Sequence, residues 1–220
     1  GKHGKRELYN WCDNAYDHVV ELDKEYSDWL CVPRSVRMTS IKPSGTVSLL
    51  NGSTPGIHFP ESEYYIRRIR FANSSKLLPF LAAAGYKLEP DEYSPNTTCV
   101  EFPVREPYFI KSKKDVSMWE QLEIAAQYQH YWADNSVSIT VTFNDDEGAH
   151  LKSALEMYET RLKAVSFLKY NDTGYKQAPY EPITKEEYEA MMADITPIVK
   201  IDDADEGSGT KFCTNDTCTI

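Results

Sequence analysis

Residues 136–143, Ser-Val-Ser-Ile-Thr-Val-Thr-Phe, alternate hydroxylated and apolar side chains without a break. A period of two with β-branched residues predicts a strand buried on one face. A stretch of helical period follows over about 147–162, and Val165–Tyr170 reads as a second strand. Two strands separated by a helix cannot close as a tight hairpin, so this segment implies a βαβ unit with parallel strands. No other feature constrains the fold as much, and it places the chain in the α/β class.

The rest of the chain is read around that unit. Residues 7–30 carry apolar side chains at spacings of three and four and predict a helix ended by Pro33. Val36–Ile41 alternates as a strand does. Lys42-Pro43-Ser44-Gly45-Thr46-Val47-Ser48 then has the form of a short turn entering a helix, and Asn51–Pro60 is a turn-rich loop. Tyr64–Phe71 mixes aromatic and basic residues and leaves helix and strand both open. Leu77–Ala84 predicts a short helix stopped at Gly85, Thr98–Phe102 a strand closed by Pro103, and 118–134 a long helix. Residues 1–200 are therefore expected to fold together. Residues 201–212 have almost nothing to bury and predict a flexible linker leading to a tail, so that 201–220 stands apart.

Composition removes several function classes. With 34 Asp and Glu against 24 Lys and Arg, the net charge of -10 disfavours a general nucleic-acid binder or an anionic-membrane binder. The longest apolar run, Leu77–Ala84, is too short to span a bilayer and contains Pro79. No secretory pattern opens the sequence, so a cytoplasmic location is expected. Five scattered cysteines do not make a disulfide framework, and none of the five histidines has metal-ligand spacing, so no metal site is expected.

Two constellations can carry chemistry. In the first, Ser44, Gly45, Thr46 and Val47 sit where a strand passes into a helix. Backbone N–H groups, the helix dipole and a glycine without Cβ suit a phosphate there. On spacing alone, a capped helix start explains the same residues. Residues 34–70 hold six basic side chains (Arg34, Arg37, Lys42, Arg67, Arg68 and Arg70) against Glu61 and Glu63, a local positive region inside an acidic chain. In the second, Cys213 and Cys218 lie five positions apart behind the linker. They can close a small disulfide ring and exchange with a distant partner, since 12 linker residues reach about 40 Å when extended. Two exposed, unused tail cysteines are the plainer alternative. His58, in Gly56-Ile57-His58 on the turn-rich loop, is read either as a surface histidine or as a ligand contact.

Several long segments together resemble one family. They are Thr39–Leu50, Gly52–His58, Tyr65-Ile66-Arg67-Arg68-Ile69-Arg70, Ala133–Val141, Gly174–Ile183 and the terminal Cys-x4-Cys, and in this order they resemble the adenosylcobalamin-dependent (class II) ribonucleotide reductases. Among these, the monomeric type acting on ribonucleoside triphosphates is most similar. The resemblance implies an α/β fold, a ten-stranded barrel of two parallel five-stranded halves, with this chain forming the second half and the flexible C-terminal tail. It implies that Ser44, Gly45, Thr46 and Val47 line the substrate-phosphate site. It also implies that Cys213 and Cys218 pass reducing equivalents from a thioredoxin-like donor to an active-site disulfide, and that Gly56 and His58 lie near adenosylcobalamin.

The diiron branch of that family carries a Tyr-Tyr pair where this chain reads Ala164–Tyr170 without one, which favours a radical generated at a cobalt–carbon bond. Cys12 and Cys31 match neither the radical cysteine nor the disulfide pair, whose place is upstream. The chain is accordingly read as a C-terminal portion that needs an N-terminal half as partner and does not turn over by itself. A non-catalytic nucleotide-binding α/β module is the alternative.

Overall fold

The parallel strand pair expected from residues 136–170 is present in the computed structural model, which describes residues 5–50, 52–170 and 176–199 together with 213–214 and 217–218. The elements begin with α1 (Lys5–Leu30), α2 (Gly45–Leu50), β1 (Tyr64–Ala72), α3 (Leu78–Ala83), β2 (Lys87–Pro90) and β3 (Thr97–Arg105). They continue with α4 (Met118–Tyr131), β4 (Thr140–Phe143), α5 (Asp145–Gly148), α6 (Leu151–Tyr158) and β5 (Ser166–Lys169). Last come β6 (Tyr180–Pro182), α7 (Lys185–Asp194), β7 (Cys213–Thr214) and β8 (Thr217–Cys218). The content is mixed α/β. The chain divides into two compact units, one of residues 1–62 and 106–172, the other of 63–105 and 173–220.

In the first unit β4 runs parallel to β5, from Thr140 opposite Ser166 to Phe143 opposite Lys169. Ile41 makes a parallel bridge to Val137, so the expected strand over 36–41 is reduced to a single paired residue. Helix α4 begins at Ser117, whose hydroxyl accepts the Glu120 N–H, and buries Met118, Leu122, Ala125 and Ala126. Those side chains meet Val137, Ile139 and Val141 from the strand side, and Ala154 and Tyr158 from α6. The alanines keep the helices close to the strands, and this is the core that holds the βαβ unit. The single helix expected over 147–162 is broken into α5 and α6. Asn144 and Glu147 form a capping box that starts α5 early, and the chain leaves helical geometry at His150.

Strand geometry is shorter than the alternation at 136–143 implied, for a reason visible on one edge of the segment. Ser138 N–H donates to Ile41 O (3.0 Å), but Thr140 N–H donates to His58 Nε2 (3.1 Å) and Thr142 N–H to Gln121 Oε1 (3.0 Å). Side chains replace a neighbouring strand beyond Ser138.

The second unit is an antiparallel sheet in the order β2-β3-β1-β6, which the parallel pattern elsewhere did not foretell. β1 settles the ambiguity of Tyr64–Phe71 in favour of strand, pairing along its whole length with β3. β3 passes through Pro103, where a chain stop was expected. β2 begins at Lys87 opposite Glu101, so past Glu101 the missing N–H interrupts no ladder on that side. The short helix α3 ends as expected at Gly85 (φ +91°), which the Asp194 carbonyl approaches closely.

The arginines of β1 are engaged within this unit and are not an open cationic surface. Arg68 is 9% exposed and pairs with Glu101 and Glu181, and Arg70 pairs with Asp91. Arg67, Arg68 and Arg70 also donate to the carbonyls of Pro179, Ala178 and Gln177 respectively. Carboxylates thus compensate two of the six charges in the local positive region read in the sequence, and Arg67 is held at carbonyls and over the Tyr180 ring. The expected linker, 201–212, lies outside the described residues. Beyond it β7 and β8 pair antiparallel with Cys213 opposite Cys218.

Candidate functional site

The chain enters the candidate site along residues 38–43, which Asp134 fixes in place. Its carboxylate accepts the Met38 N–H (2.9 Å) and the Tyr16 hydroxyl (2.9 Å), while Thr39 Oγ1 accepts the Asp134 N–H (3.0 Å). The Met38 N–H and these further donors hold the Asp134 carboxyl below the usual range. Thr39 Oγ1 in turn donates to Trp132 O, tying the segment to the end of α4.

After Pro43 the backbone turns sharply. Ser44 (φ +51°) and Gly45 (φ +49°) are both left-handed, a conformation costly for serine. The Ser44 hydroxyl offsets that cost with two bonds: it is hydrogen-bonded to the Ser48 hydroxyl and accepts the Gly56 N–H (2.9 Å). The sequence pattern implied open amides here, yet two are engaged locally, Gly45 N–H with Pro43 O (2.7 Å) and Val47 N–H with Ser44 O (3.2 Å). The surface in front of them is nevertheless open. Lys42, Pro43, Ser44 and Gly45 are exposed, Val47 is 66% exposed, and a Cβ added at Gly45 would meet nothing within 4 Å. The backbone of Thr46 is described, and its side chain lies outside the described atoms.

Of the basic residues near the loop, Lys42 is the available one. Among the described residues it makes no hydrogen bond or ion pair, whereas Arg37 donates to Asn135 Oδ1 (3.1 Å) and Arg34 lies 3.8 Å from Asp28. The sequence marked Lys42 only as one of six basic side chains in a local positive region, and assigned Asp134 no role. A lone lysine before the Pro-Ser-Gly run was the available signal for the first. Nothing local marks the second, whose partners lie about 95 residues away.

Gly56 and His58 follow on the turn-rich loop. Gly56 (φ +58°) packs so tightly that a Cβ would lie 3.0 Å from Lys42 O. Both nitrogens of His58 are bonded, Nε2 to the Thr140 N–H and Nδ1 to Pro55 O (2.9 Å). No nitrogen of that ring is left for a cobalt ion or another ligand, so any ligand contact is with a ring face or edge. Beside them opens a cleft of about 400 Å³, bordered by Gly52, Gly56, His58, Phe59, Tyr108 and Ile110. Its flank is apolar, with Tyr108 85% and Ile110 70% exposed.

A larger cavity of about 590 Å³ lies between α1, α4 and residues 160–163. Its polar groups are mutually engaged: Arg161 with Glu123, Lys163 with Asp134 O, and Gln129 with the carbonyls of Ala133 and Asn135. The smaller cleft beside the loop is the candidate site. Cys213 and Cys218 occupy facing register positions. Opposed residues of an antiparallel pair have Cα atoms about 4.5–5.5 Å apart, a spacing that a disulfide can bridge. Among the described residues no group of three or more His, Cys, Asp or Glu side chains could hold a metal ion, and no helix is long and apolar enough to cross a membrane.

No family model matches the chain. Curated relatives do. It is 46% identical over 224 residues to an adenosylcobalamin-dependent ribonucleoside-triphosphate reductase of Euglena gracilis, covering 98% of this chain and 31% of that protein. A probable enzyme of the same name from Dictyostelium discoideum is 46% identical over 99% of this chain and 30% of its own length. The reductase of Levilactobacillus brevis is 48% identical over 82% of this chain and 25% of its own length. Among solved structures, a B12-dependent (class II) ribonucleotide reductase matches with a TM-score of 0.80 and 43% identity, over 88% of this chain and 28% of that one. The chain thus spans between a quarter and a third of the length of the relatives it matches.

Proposed function

The chain belongs, as a portion, to the adenosylcobalamin-dependent ribonucleoside-triphosphate reductases, and we propose that it supplies the C-terminal part of such an enzyme: the substrate-phosphate loop and the tail that returns the enzyme to its reduced form. The observation that carries this reading is the 46% identity extending over 98% of the chain, so that loop, βαβ unit and tail are all inside the match. In this reading the Ile41 segment, β4 and β5 are strands of the second half of a ten-stranded barrel. Within residues 1–200, the unit of residues 1–62 and 106–172 holds these half-barrel strands, the antiparallel sheet β2-β3-β1-β6 is an addition to the half-barrel, and residues 201–220 form the tail.

The substrate is a ribonucleoside triphosphate. Its phosphates lie against Ser44, Gly45, Thr46 and Val47, where the open surface before Gly45 and the unpaired Lys42 favour an anion. Reduction replaces the ribose 2′-hydroxyl by hydrogen and releases it as water. The two electrons and two protons come from a pair of thiols that becomes a disulfide. Cys213 and Cys218 re-reduce that disulfide by exchange and are themselves reduced by a thioredoxin-like donor. The facing register of the two cysteines supports the cycling of this pair between dithiol and disulfide.

The cofactor is adenosylcobalamin, which when bound supplies the radical by homolysis of its cobalt–carbon bond. The cleft beside the loop fits part of that group. Its volume is at the lower end of the about 300–1,000 Å³ usual for ligand pockets, which suits a nucleoside-sized moiety, and its flank is apolar. Gly56 and the ring edge of His58 border it, and the remainder of the cofactor's surroundings comes from the other two-thirds of the enzyme. That part also carries the radical cysteine and the active-site disulfide, so this chain by itself is inactive. Such an enzyme works in the reducing cytoplasm.

The test is a chimera in which this chain replaces the matching segment of the Euglena gracilis reductase. Adenosylcobalamin-dependent formation of deoxynucleoside triphosphate is expected. A folded chimera that binds cofactor and makes none refutes the proposal. In the active chimera, Cys213→Ser with Cys218→Ser is expected to abolish turnover with thioredoxin and to spare turnover with a small dithiol; equal loss with both reductants refutes the shuttle.

A further inference from the structure

The edge of the 137–143 segment that faces Ile41 ends abruptly, and what replaces the absent strand is a single imidazole. Ser138 N–H donates to Ile41 O, as in a parallel ladder. The next N–H on that edge is Thr140, two residues on, and a continuing parallel strand would offer it Pro43 O. That carbonyl is instead the acceptor for Gly45 N–H (2.7 Å), because the chain has turned left-handed at Ser44 and Gly45. An N–H left unpaired at a sheet edge inside the fold is costly. His58 Nε2 takes the place of the lost carbonyl, at 3.1 Å from Thr140 N.

The same ring holds the other side of the turn. Nδ1 lies 2.9 Å from Pro55 O, which also accepts the His58 backbone N–H (3.1 Å), closing the turn Pro55–His58. That turn presents the Gly56 N–H to Ser44 Oγ (2.9 Å) and seats Gly56 against Lys42 O. Thr140 N–H can only donate and Pro55 O can only accept. The two partners therefore dictate one form of the ring, neutral, with its proton on Nδ1.

We propose that His58 is a positioning residue for the Ser44–Val47 loop: it substitutes for the strand that Pro43 diverts and, through the Pro55–His58 turn, places the Gly56 N–H on Ser44 Oγ. The geometric half of this inference stands on the hydrogen bonds alone. The functional half rests on the proposal that the loop binds substrate phosphate. His58 acts on that site through Gly56 and Ser44 and not by ligating a cofactor atom.

The first measurement is nuclear magnetic resonance of the nitrogen-15-labelled chain. The expected result is an unprotonated Nε2 and a proton-bearing Nδ1 at His58, with a through-hydrogen-bond coupling from Nε2 to the Thr140 amide nitrogen. A proton on Nε2, or no coupling in the folded chain, overturns the proposal. The second compares His58→Leu, which removes the acceptor, with His58→Gln, which keeps one. In the leucine variant the Thr140 and Gly56 amides are expected to exchange with solvent at least about tenfold faster, the loss of one hydrogen bond, with the glutamine variant between. Unchanged exchange at Gly56 overturns the link to Ser44.

The functional half is read by titrating inorganic tripolyphosphate and following the Gly45 and Val47 amide signals. Binding about tenfold weaker in His58→Leu than in the wild-type chain is expected. Equal affinity overturns the positioning role while leaving the loop proposal intact. A wild-type chain with no response removes the loop proposal, and the exchange data then decide the geometric half. Should the leucine variant fail to fold, the wild-type coupling and the glutamine variant decide the same questions.

Discussion

Replacing Arg68 by alanine tests what holds the antiparallel sheet together. Its guanidinium lies 2.7 Å from Glu101 and 2.5 Å from Glu181, and donates to Ala178 O at 3.1 Å. Glu101 is only 3% exposed, so truncation strands a carboxylate inside the protein. Removing one member of a buried pair typically costs about 3–5 kcal/mol. Lys87, 3.3 Å from the other oxygen of Glu101 and half exposed, retains part of the compensation and moves the expectation to about 3 kcal/mol. All four tryptophans lie in the first unit, so intrinsic fluorescence does not report this sheet directly. Cys99 does. It sits on β3 opposite Arg70, is 1% exposed, and burial pushes its thiol pKa up, so it reacts only when the sheet opens. With Cys12, Cys31, Cys213 and Cys218 changed to serine, thiol labelling of Cys99 is expected to run about 100-fold faster in Arg68→Ala, the equivalent of about 3 kcal/mol. Arg68→Lys restores charge but not the fork of donors, and recovers only part of the difference. Acceleration below about threefold, less than 1 kcal/mol, would refute the reasoning.

Acid stability gives a second test. Arg161 and its companion donors hold the Glu123 carboxyl at about 2 instead of 4.5. A folded-state pKa below the unfolded value stabilises at pH above about 4.5, and that contribution is lost as pH falls from about 4.5 to about 2. The Arg161 side chain is 43% exposed, so solvent screening reduces the loss to about 1 kcal/mol. Thermal melts followed by tryptophan fluorescence are expected to show that slope in the wild type and a flatter one in Glu123→Gln; equal slopes count against the pair. Gly85→Ala is expected to destabilise the second unit by at least about 3 kcal/mol, because the new Cβ would lie 2.2 Å from Asp194 O at a left-handed φ of +91°. Cys99 labelling reads this as well, and a neutral substitution there means that the α7 end does not pack as described.

The parts of the fold legible in the sequence were those in which burial repeats with a fixed period. Ser136–Phe143 alternates because one face meets Leu122 and Ala125 of α4, and the parallel partner at 166–169 followed from the length of the intervening helix. The short strands β2 and β6 have four and three residues, each ending in a proline, too few for any period to show. The sequence did not reveal helix α7, although Thr184 and Glu187 form a capping box, because none of its residues is buried and its apolar face is weak. In the candidate site, Pro43, Ser44 and Gly45 marked the turn correctly. What no local pattern could reveal is that the acceptor lost at Pro43 is restored by His58, a pairing decided across 82 residues by where two backbones run.

The basic motif on β1 shows most sharply how a charge pattern can mislead. Tyr65-Ile66-Arg67-Arg68-Ile69-Arg70 looks cationic, and beside a proposed phosphate loop a cationic stretch invites an electrostatic role. Yet Arg68 and Arg70 each meet a carboxylate, and all three arginines donate to consecutive carbonyls at 177–179, with Arg67 lying over the Tyr180 ring. Gln177, left-handed at φ +55°, completes the arrangement by donating to Pro90 O and accepting the Glu92 N–H. Two of the segments that carried the family resemblance, Tyr65–Arg70 and the described residues 176–183 of the other, thus interlock with one another, and their side chains serve the second unit. Under the proposed function, the attraction of an anion to the Ser44–Val47 loop then falls to Lys42, an exposed charge with no partner among the described residues, together with the geometry that His58 and Ser44 impose on the turn. A single lysine gives little long-range steering. If the loop binds a triphosphate as proposed, selectivity has to come from hydrogen-bond geometry at short range, which is why the placement of Ser44 and Gly45 matters more to the proposed site than its net charge.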